Sequence, residues 1–357
     1  MIINRFIIMK SFFYLLLFIL FFTSCESQQN ELKTQNKKAQ WIENALHSIE
    51  SNRYPNIKGI SWWHENFDNS KLRLDSSTEA VEVYKNNVSS SFFTSKLTFE
   101  NQKLIASTKG VYHGAFPDFG GEESSVTPQK ILDFENLIGK EIAWAYFSDN
   151  WFDNLSFPYD EVTTIHNTGR TPFIRMMARS DFRENRPDPT YTMQRILDKE
   201  FDTQLKSWAN AAKNIGYPLL VEFGTEVNGS WFPWNGEHNG GETKDQYGNI
   251  NLADGPERFR DAYRHIIDLF RNEGVKNITW FFHVDAYGEP IEPWNAIENY
   301  YPGDDYIDWL GVSIYGPQLP TENFEPFTEI LDETYPKLTQ LSDKPIAILE
   351  FAITEID

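Results

Sequence analysis

Pro218-Leu-Leu-Val-Glu-Phe-Gly-Thr-Glu-Val-Asn-Gly-Ser-Trp-Phe-Pro-Trp234 starts as an apolar run, rises to a carboxylate at Glu226, and breaks at Asn228-Gly229 into a segment holding two tryptophans. A short apolar run bounded by Pro, Gly or Asn is the pattern of a strand buried on both faces in a parallel sheet. Comparable runs stand at 57–63, 110–114, 141–147, 172–177, 277–283, 307–315 and 345–351. Helical periodicity fills the intervals between them. It is clearest after Pro256, where Phe259, Tyr263, Ile266, Ile267 and Phe270 share one face. Eight strands alternating with helices predict an α/β chain closed into a (β/α)8 TIM barrel, whose chemistry sits at the carboxyl ends of the strands. Glu226 and Glu350 both fall at such ends.

Composition narrows the partner. The formal net charge of -20 argues against nucleic acid, whose phosphates would be repelled. Neutral polymers remain compatible with it. Aromatic residues make up 15% of the chain, 11 of them Trp, and amphipathic rings suit the faces of sugars. Two carboxylates at strand ends beside such rings are what glycosidic bond cleavage requires: one protonates the leaving oxygen, and the other attacks or activates water. This chemistry needs no metal and no cofactor.

The first 24 residues read as an export signal, with Arg5 and Lys10 ahead of an apolar stretch from Ser11 to Phe22. Phe22-Thr-Ser-Cys25 resembles a bacterial lipobox, with Phe where Leu is usual, and Cys25 is the single cysteine of the chain. The resemblance implies cleavage before Cys25 and lipidation of its thiol. Residues 25–39 then read as a polar tether. The expectation is a protein held at the bacterial cell envelope, on the outer membrane or cell surface, touching the membrane only through its lipid.

Three ordered motifs carry a further resemblance. Glu226-Val-Asn-Gly-Ser-Trp-Phe-Pro-Trp234, Tyr301-Pro-Gly-Asp-Asp-Tyr-Ile-Asp-Trp-Leu-Gly-Val-Ser-Ile-Tyr315 and Lys344-Pro-Ile-Ala-Ile-Leu-Glu-Phe351 resemble glycoside hydrolase family 26. With the helix after Pro256 they cover most of 109–357. That family comprises retaining β-mannanases, mixed-linkage β-glucanases and β-1,3-xylanases on a (β/α) barrel. The resemblance implies Glu226 as acid/base at the end of the fourth family strand and Glu350 as nucleophile at the end of the seventh. It implies Tyr315 as the residue that orients the nucleophile. Candidate substrate contacts are Asn228, Trp231, Trp234, Trp63, His113 and His283; of the neighbours Trp62 and Trp63, which point to opposite faces of a strand, Trp63 is taken to line the cleft.

The family order calls for an eighth strand after Glu350. Its counterpart stands at the other end of this chain: 40–49 resembles the helix after the nucleophile strand, 54–65 the closing strand, and 72–81 the final stretch. The expectation is one permuted barrel over 40–357, with helix seven and strand eight of the family (40–87) preceding a bridge (88–108) and strands one to seven (109–357). Barrel ends are adjacent in space, so such a rearrangement is sterically inexpensive.

Two positions depart from the family pattern. Thr225 stands where His usually precedes the acid/base, and Glu222 stands where the family has Arg. By strand parity Glu222 and Glu226 face the same way, and a buried carboxylate needs a partner. Arg175 on the preceding strand is the expected one; the alternative is that Glu222 repels the acid/base and raises its pKa. The acid/base is expected in surroundings less polar than those of the nucleophile. The Gly-rich stretch 235–249 reads as a substrate-covering loop, or as a calcium site made from Glu237, Glu242 and Asp245. The function implied is hydrolysis of a β-linked polysaccharide by double displacement. The rival is a non-catalytic glycan-binding surface lipoprotein on the same fold.

Overall fold

The computed structural model describes residues 36–356 except positions 68 and 153. The expected export signal, Cys25 and most of the expected tether lie outside the described residues. Eight strands form the barrel: β1 (Ile57–Trp63), β2 (Val111–Phe116), β3 (Trp144–Asn150), β4 (Thr171–Met177), β5 (Leu219–Phe223), β6 (Ile278–Asp285), β7 (Trp309–Tyr315) and β8 (Ile346–Ala352). Neighbours pair in parallel from β1 to β8, and β1 pairs with both β2 and β8, which closes the cylinder. All eight expected strands are present.

Their ends move for local reasons. β3 begins and finishes three residues later than the apolar run suggests, because Ser148-Asp149-Asn150, which has the composition of a turn, pairs with Arg175, Met176 and Met177 of β4. β5 stops at Phe223, where Gly224 turns left-handed at φ +67°.

The helices wrap the outside. They are α1 (Lys37–Glu50), α2 (Thr78–Val88), α3 (Pro128–Ile138), α4 (Tyr159–Asn167), α5 (Met193–Leu197), α6 (Asp202–Ile215), α7 (Asp254–Asn272), α8 (Ile297–Tyr300) and α9 (Phe327–Leu341). Helix α1 is capped by the Asn36 side chain, which accepts from the Ala39 amide at 3.0 Å. It starts at Lys37, inside the stretch expected to be tether. Buried Lys38 fixes that start by donating to the carbonyls of Lys71 and Arg73 and to Ser76 Oγ. Trp41 packs against Phe327 and Phe351, so α1 lies between α9 and α2 on the outer face of β8.

The expected bridge has a structure of its own. A hairpin, Phe99–Glu100 with Lys103–Leu104, lies under the amino ends of β6 and β7. There the Leu104 amide donates to Thr279 Oγ1 at 2.8 Å, Trp309 Nε1 donates to the Leu104 carbonyl at 3.0 Å, and Lys103 pairs with Asp308 at 2.7 Å. The hairpin is a floor to the barrel. Among the described residues no helix is long and apolar enough to cross a membrane.

Inside the cylinder, residues two apart along five of the strands climb from apolar to polar. Trp144 is followed by Tyr146 and Ser148, Phe173 by Arg175, Leu220 by Glu222, Phe281 by His283, and Gly311 by Ser313 and Tyr315. The lower rings pack on one another: Phe173 lies 4.6 Å from Phe281, and Phe281 stacks on Trp309 at 5.6 Å. Trp144 fits among them because Gly59 and Gly114 face it. A Cβ on Gly114 would sit 2.1 Å from Trp144 Nε1. Gly114→Ala therefore overpacks a filled interior and lowers stability by about 1–3 kcal/mol, read as the shift in urea midpoint at unchanged slope.

Candidate active site

The two carboxylates meet at the open end of the barrel by different local devices. Glu226 is the third residue after β5 and adopts φ +47°, the left-handed region that a side chain with a Cβ rarely enters. Such a conformation costs on the order of 1–3 kcal/mol and persists only where neighbours impose it. Here the Val227 amide donates to the His283 carbonyl and Trp234 Nε1 donates to the Thr225 carbonyl. Trp231 Nε1 then donates to Glu226 Oε2 at 2.8 Å.

Glu350 is placed by a β-bulge. The pairing of β8 slips between Ile348 and Glu350 against β7, and between Ile348 and Phe351 against β1. Phe351 can then turn outward onto Trp41 and Trp62 while Leu349 covers Gly311 and Glu350 points inward. Tyr315 donates to Glu350 Oε2 at 2.7 Å, and Arg175 Nη2 lies 3.1 Å from Oε1.

Ligand-type atoms of Glu226, Glu350 and His283 all lie within 4.8 Å of one another. The distances suit a shared cation, but the imidazole does not. Its Nδ1 is 2.8 Å from Glu222 Oε2 and 2.7 Å from Thr225 Oγ1, and its Nε2 is 2.9 Å from Ser313 Oγ. Burial disfavours the imidazolium, yet the adjoining Glu222 carboxylate, its hydrogen bond, and the charges of Glu350 and Glu226 outweigh burial and raise the His283 pKa. Glu222 responds in kind: burial pushes it up, but His283, then Arg175 and Thr225, bring it below the ordinary carboxylate range. A protonated imidazole has no lone pair to offer a metal.

Arg175 organises the other side. It is 2% exposed, donates to Glu123 Oε2 at 2.7 Å and Ser148 Oγ at 3.1 Å, and is flanked by the rings of Trp63 and Tyr146. The expected Arg175–Glu222 pair is loose at 3.6 Å. Glu222 instead takes His283 as its cation, with hydroxyl donors from Tyr146 and Thr225, both at 2.5 Å.

Glu350 is not in the more open surroundings expected of it: it is 3% exposed, against 7% for Glu226. Burial, opposed by Arg175 and reinforced by the charge of Glu226, pushes Glu350 up to about 7. The bulge sets Glu350 deep among aromatic rings, where desolvation outweighs its two donors. Nearby Asp285 at the end of β6 is also driven up, by burial and by Glu226.

The other expected contacts divide. Trp231 is part-exposed against Glu226 and remains in the cleft. Trp234 does not: it is wholly buried and stacks on Phe232 at 4.5 Å. The Asn228 side chain is spent on the backbone of Asp285, accepting at 2.8 Å and donating at 2.9 Å. Trp63 points inward as parity requires, but it is 3% exposed and stacks on Phe116 at 4.0 Å, so it supports Arg175 instead of offering a face to sugar.

His113 faces the helices. It bonds Tyr84 of α2 at 2.8 Å, and burial lowers its pKa to about 3, so it is a neutral packing residue. His283 lies in the site with both ring nitrogens occupied by protein. The 235–249 loop is pinned to the start of α7: Asp254 accepts from Thr243 Oγ1 and the Gln246 amide, and Arg258 donates to the Asn239 and Gln246 carbonyls. Glu237, Glu242 and Asp245 point to solvent and are not gathered around a common point.

Glu123, Tyr146, Ser148 and Ser313 are site residues that the sequence reading missed. Parity along β3 and β7 could have found the last three. Glu123 comes from a loop, at φ +57°, with no local signal.

A pair of buried carboxylates at the mouth of a (β/α)8 barrel, one on a tryptophan and one on a tyrosine, is an arrangement that glycosidic bond cleavage can use. The sequence model of glycosyl hydrolase family 26 matches residues 186–349 of this chain. The chain is 25% identical over 229 residues to endoglucanase H of Acetivibrio thermocellus, a match covering 63% of this chain and 23% of that protein. It is 26% identical over 126 residues to a β-1,3-xylanase of an Alcaligenes species, covering 35% and 22%. It is 26% identical over 143 residues to mannan endo-1,4-β-mannosidase A and B of Caldalkalibacillus mannanilyticus, covering 40% and 23%. The matched part thus spans less than a quarter of each relative's length. Among solved structures, a family 26 β-mannanase from Bacteroides ovatus aligns with 89% of this chain and 77% of its own, at 16% identity and a TM-score of 0.42.

The electrostatics make two stability predictions. Glu350 has a folded-state pKa of about 7 against an ordinary 4.5. The folded state therefore binds more protons in that interval, and stability falls as pH rises through it, with the full penalty above pH 7. Glu350→Gln fixes the neutral form and stabilises the protein at pH 8 by roughly 2–3 kcal/mol, with the gain vanishing toward pH 4.5, as urea denaturation at both pH values will read. Arg175→Met leaves Glu123 and Glu350 without their cation and costs about 3–5 kcal/mol in the same measurement.

Proposed function

We propose that this chain is a retaining endo-β-glycanase acting on a β-linked polysaccharide of the β-mannan, β-1,3-xylan or mixed-linkage β-glucan type. The observation that carries it is the placement of Glu226 and Glu350 oxygens within 4.8 Å. Carboxyl groups about 5–5.5 Å apart suit direct attack, whereas an inverting pair needs about 6.5–9.5 Å to admit a water. The printed activities of the relatives, an endoglucanase, a β-1,3-xylanase and a mannanase, frame the substrate class.

In the proposed cycle Glu350 attacks the anomeric carbon and forms a glycosyl ester as the carbon–oxygen bond to the leaving sugar breaks. Glu226 gives its proton to the departing oxygen. Water then attacks the ester carbon, returns a proton to Glu226, and frees Glu350. Tyr315 and Arg175 favour the ionised nucleophile. Trp231 occupies Glu226 Oε2, leaving Oε1 to carry the proton.

The same proposal includes the order of the barrel and the place of work. The proposed acid/base follows the fifth strand and the nucleophile lies on the eighth, each one later than in the family, as a strand moved from the end to the beginning produces. Export and lipidation at Cys25 would hold the enzyme at the envelope, where polymers too large to be imported are met.

Reducing-sugar release by the purified chain tests the activity on β-mannan, β-1,3-xylan, mixed-linkage β-glucan and several algal polysaccharides. Release from one polymer, lost in Glu350→Ala, is the expected result. Silence on all of them while the folded protein binds one would make it a glycan-binding lipoprotein instead.

The pH profile tests the roles. Two carboxylates this close hold a shared proton, and the last one leaves near neutrality because Glu350 is pushed up to about 7. The basic limb of kcat/KM is therefore expected near pH 7. Tyr315→Phe removes a donor to the carboxylate, so Glu350 holds the proton more tightly. That lowers the maximum and moves the limb to higher pH.

A further inference from the structure

Arg179 lies two residues beyond β4, above Arg175, and is 5% exposed. Its Nε donates to Asn150 Oδ1 at 2.7 Å, but Nη2 is buried and has no hydrogen-bond partner. The nearest carboxylate, Glu123, is 3.8 Å away and is already engaged by Arg175 and by Ser148. Asp181 is bound up with Arg183 and Arg186.

Three rings surround the guanidinium: Phe182 at 4.6 Å, and Phe152 and Phe232 both at 5.8 Å. Phe182 is 39% exposed. Phe232 follows Trp231, the tryptophan bonded to Glu226, and the Asn185 amide donates to the Trp231 carbonyl. The group therefore stands between the two sides of the cleft, with Glu123, Arg175 and Glu350 on one flank and Trp231 with Glu226 on the other.

We infer that Arg179, framed by Phe152, Phe182 and Phe232, is a subsite for a sugar bearing an anionic oxygen group, a carboxylate or a sulfate ester. A guanidinium presents paired donors that match such groups, and a low-dielectric aromatic frame strengthens the contact. The local charge balance points the same way. Arg175 has Glu123 at 2.7 Å and Glu350 at 3.1 Å, whereas Arg179 has, among the described residues, only Glu123, at 3.8 Å. Burial lowers its pKa to about 10, with Arg175 adding to the fall and Glu123, Glu184 and Asp181 opposing it. An exposed ring beside it offers a face for the sugar itself.

This inference rests on the cleft being a glycan site. Its test is kept separate from hydrolysis by measuring binding to the full-length chain. Methyl β-D-glucuronide, glucose 6-sulfate and methyl β-D-glucoside are titrated at low salt, with saturation-transfer NMR as the readout. One anionic sugar should bind about tenfold more tightly than the neutral glucoside. Whichever of the two does so names the group. Arg179→Gln should erase the difference, Arg179→Lys should keep part of it, and 0.5 M NaCl should weaken the anionic arm alone. If Arg179→Gln does not fold, the charged-against-neutral comparison and its salt response in the unmodified protein still decide. Equal binding of all three sugars, or a preference that survives Arg179→Gln, overturns the subsite. If a neutral polymer is hydrolysed without any anionic preference, the subsite fails and the enzyme stands; anionic preference without hydrolysis of any polymer has the opposite meaning.

Discussion

One guanidinium, that of Arg175, sits where the aromatic filling of the barrel gives way to its polar layer. It lies above Trp63 and Tyr146 and joins Glu123 from a loop to Glu350 from β8. Removing a guanidinium from water is expensive, and its partners repay the cost only with good geometry. That condition ties distant parts of the chain together. The loop after β2 must curl back at a left-handed Glu123, β3 must present Ser148, and β8 must bulge to aim Glu350 inward. The positions of both site carboxyl flanks thus follow from satisfying one buried cation.

The layer above the rings works as two coupled ion pairs. Arg175 serves Glu123 and Glu350, and His283 serves Glu222, with hydroxyls of Tyr146, Thr225 and Ser313 bonded to Glu222 and His283. A low-dielectric interior makes each such bond strong and each missing one costly, so the network fixes its members in one geometry. Glu350 pays for its position in this dry layer with a raised pKa. In the proposed mechanism, that same destabilisation is what would make the carboxylate reactive toward an anomeric carbon.

Much of the barrel was legible because doubly buried strands are written as apolar runs and the polar ends of those runs stand out. Glu226, Glu350 and Tyr315 could be placed at strand ends by that signal alone. Other features depend on long-range or conformational facts with no local code. The bulge beside Leu349 is set by neighbours on both sides, and the left-handed backbone at Glu226 by bonds from β6. Trp231 and Trp234 look alike in sequence, yet one reaches a carboxylate and the other a backbone carbonyl behind it. His113 and His283 look alike too, and differ because one strand turns its histidine to the helices and the other turns it to the interior. Their surroundings shift their pKa values in opposite directions.

The two departures from the family pattern explain each other. Glu222, in place of an arginine, brings a negative charge into the interior, and Thr225, in place of a histidine, brings a short hydroxyl. Separately each looks like lost chemistry. Together they complete His283: Thr225 Oγ1 donates to Glu222 Oε1 and lies 2.7 Å from His283 Nδ1, while Glu222 Oε2 accepts a hydrogen bond from that Nδ1. Had position 222 kept a cation, it would stand beside Arg175 on the adjoining strand, opposite it in register, with only Glu123 and Glu350 to balance both. An anion there instead lets Arg175 give itself to Glu350, and leaves a charged His283 beneath both site carboxylates. The exchange moves positive charge from one strand to its neighbour, and the carboxylate pair above remains facing a cation on each side.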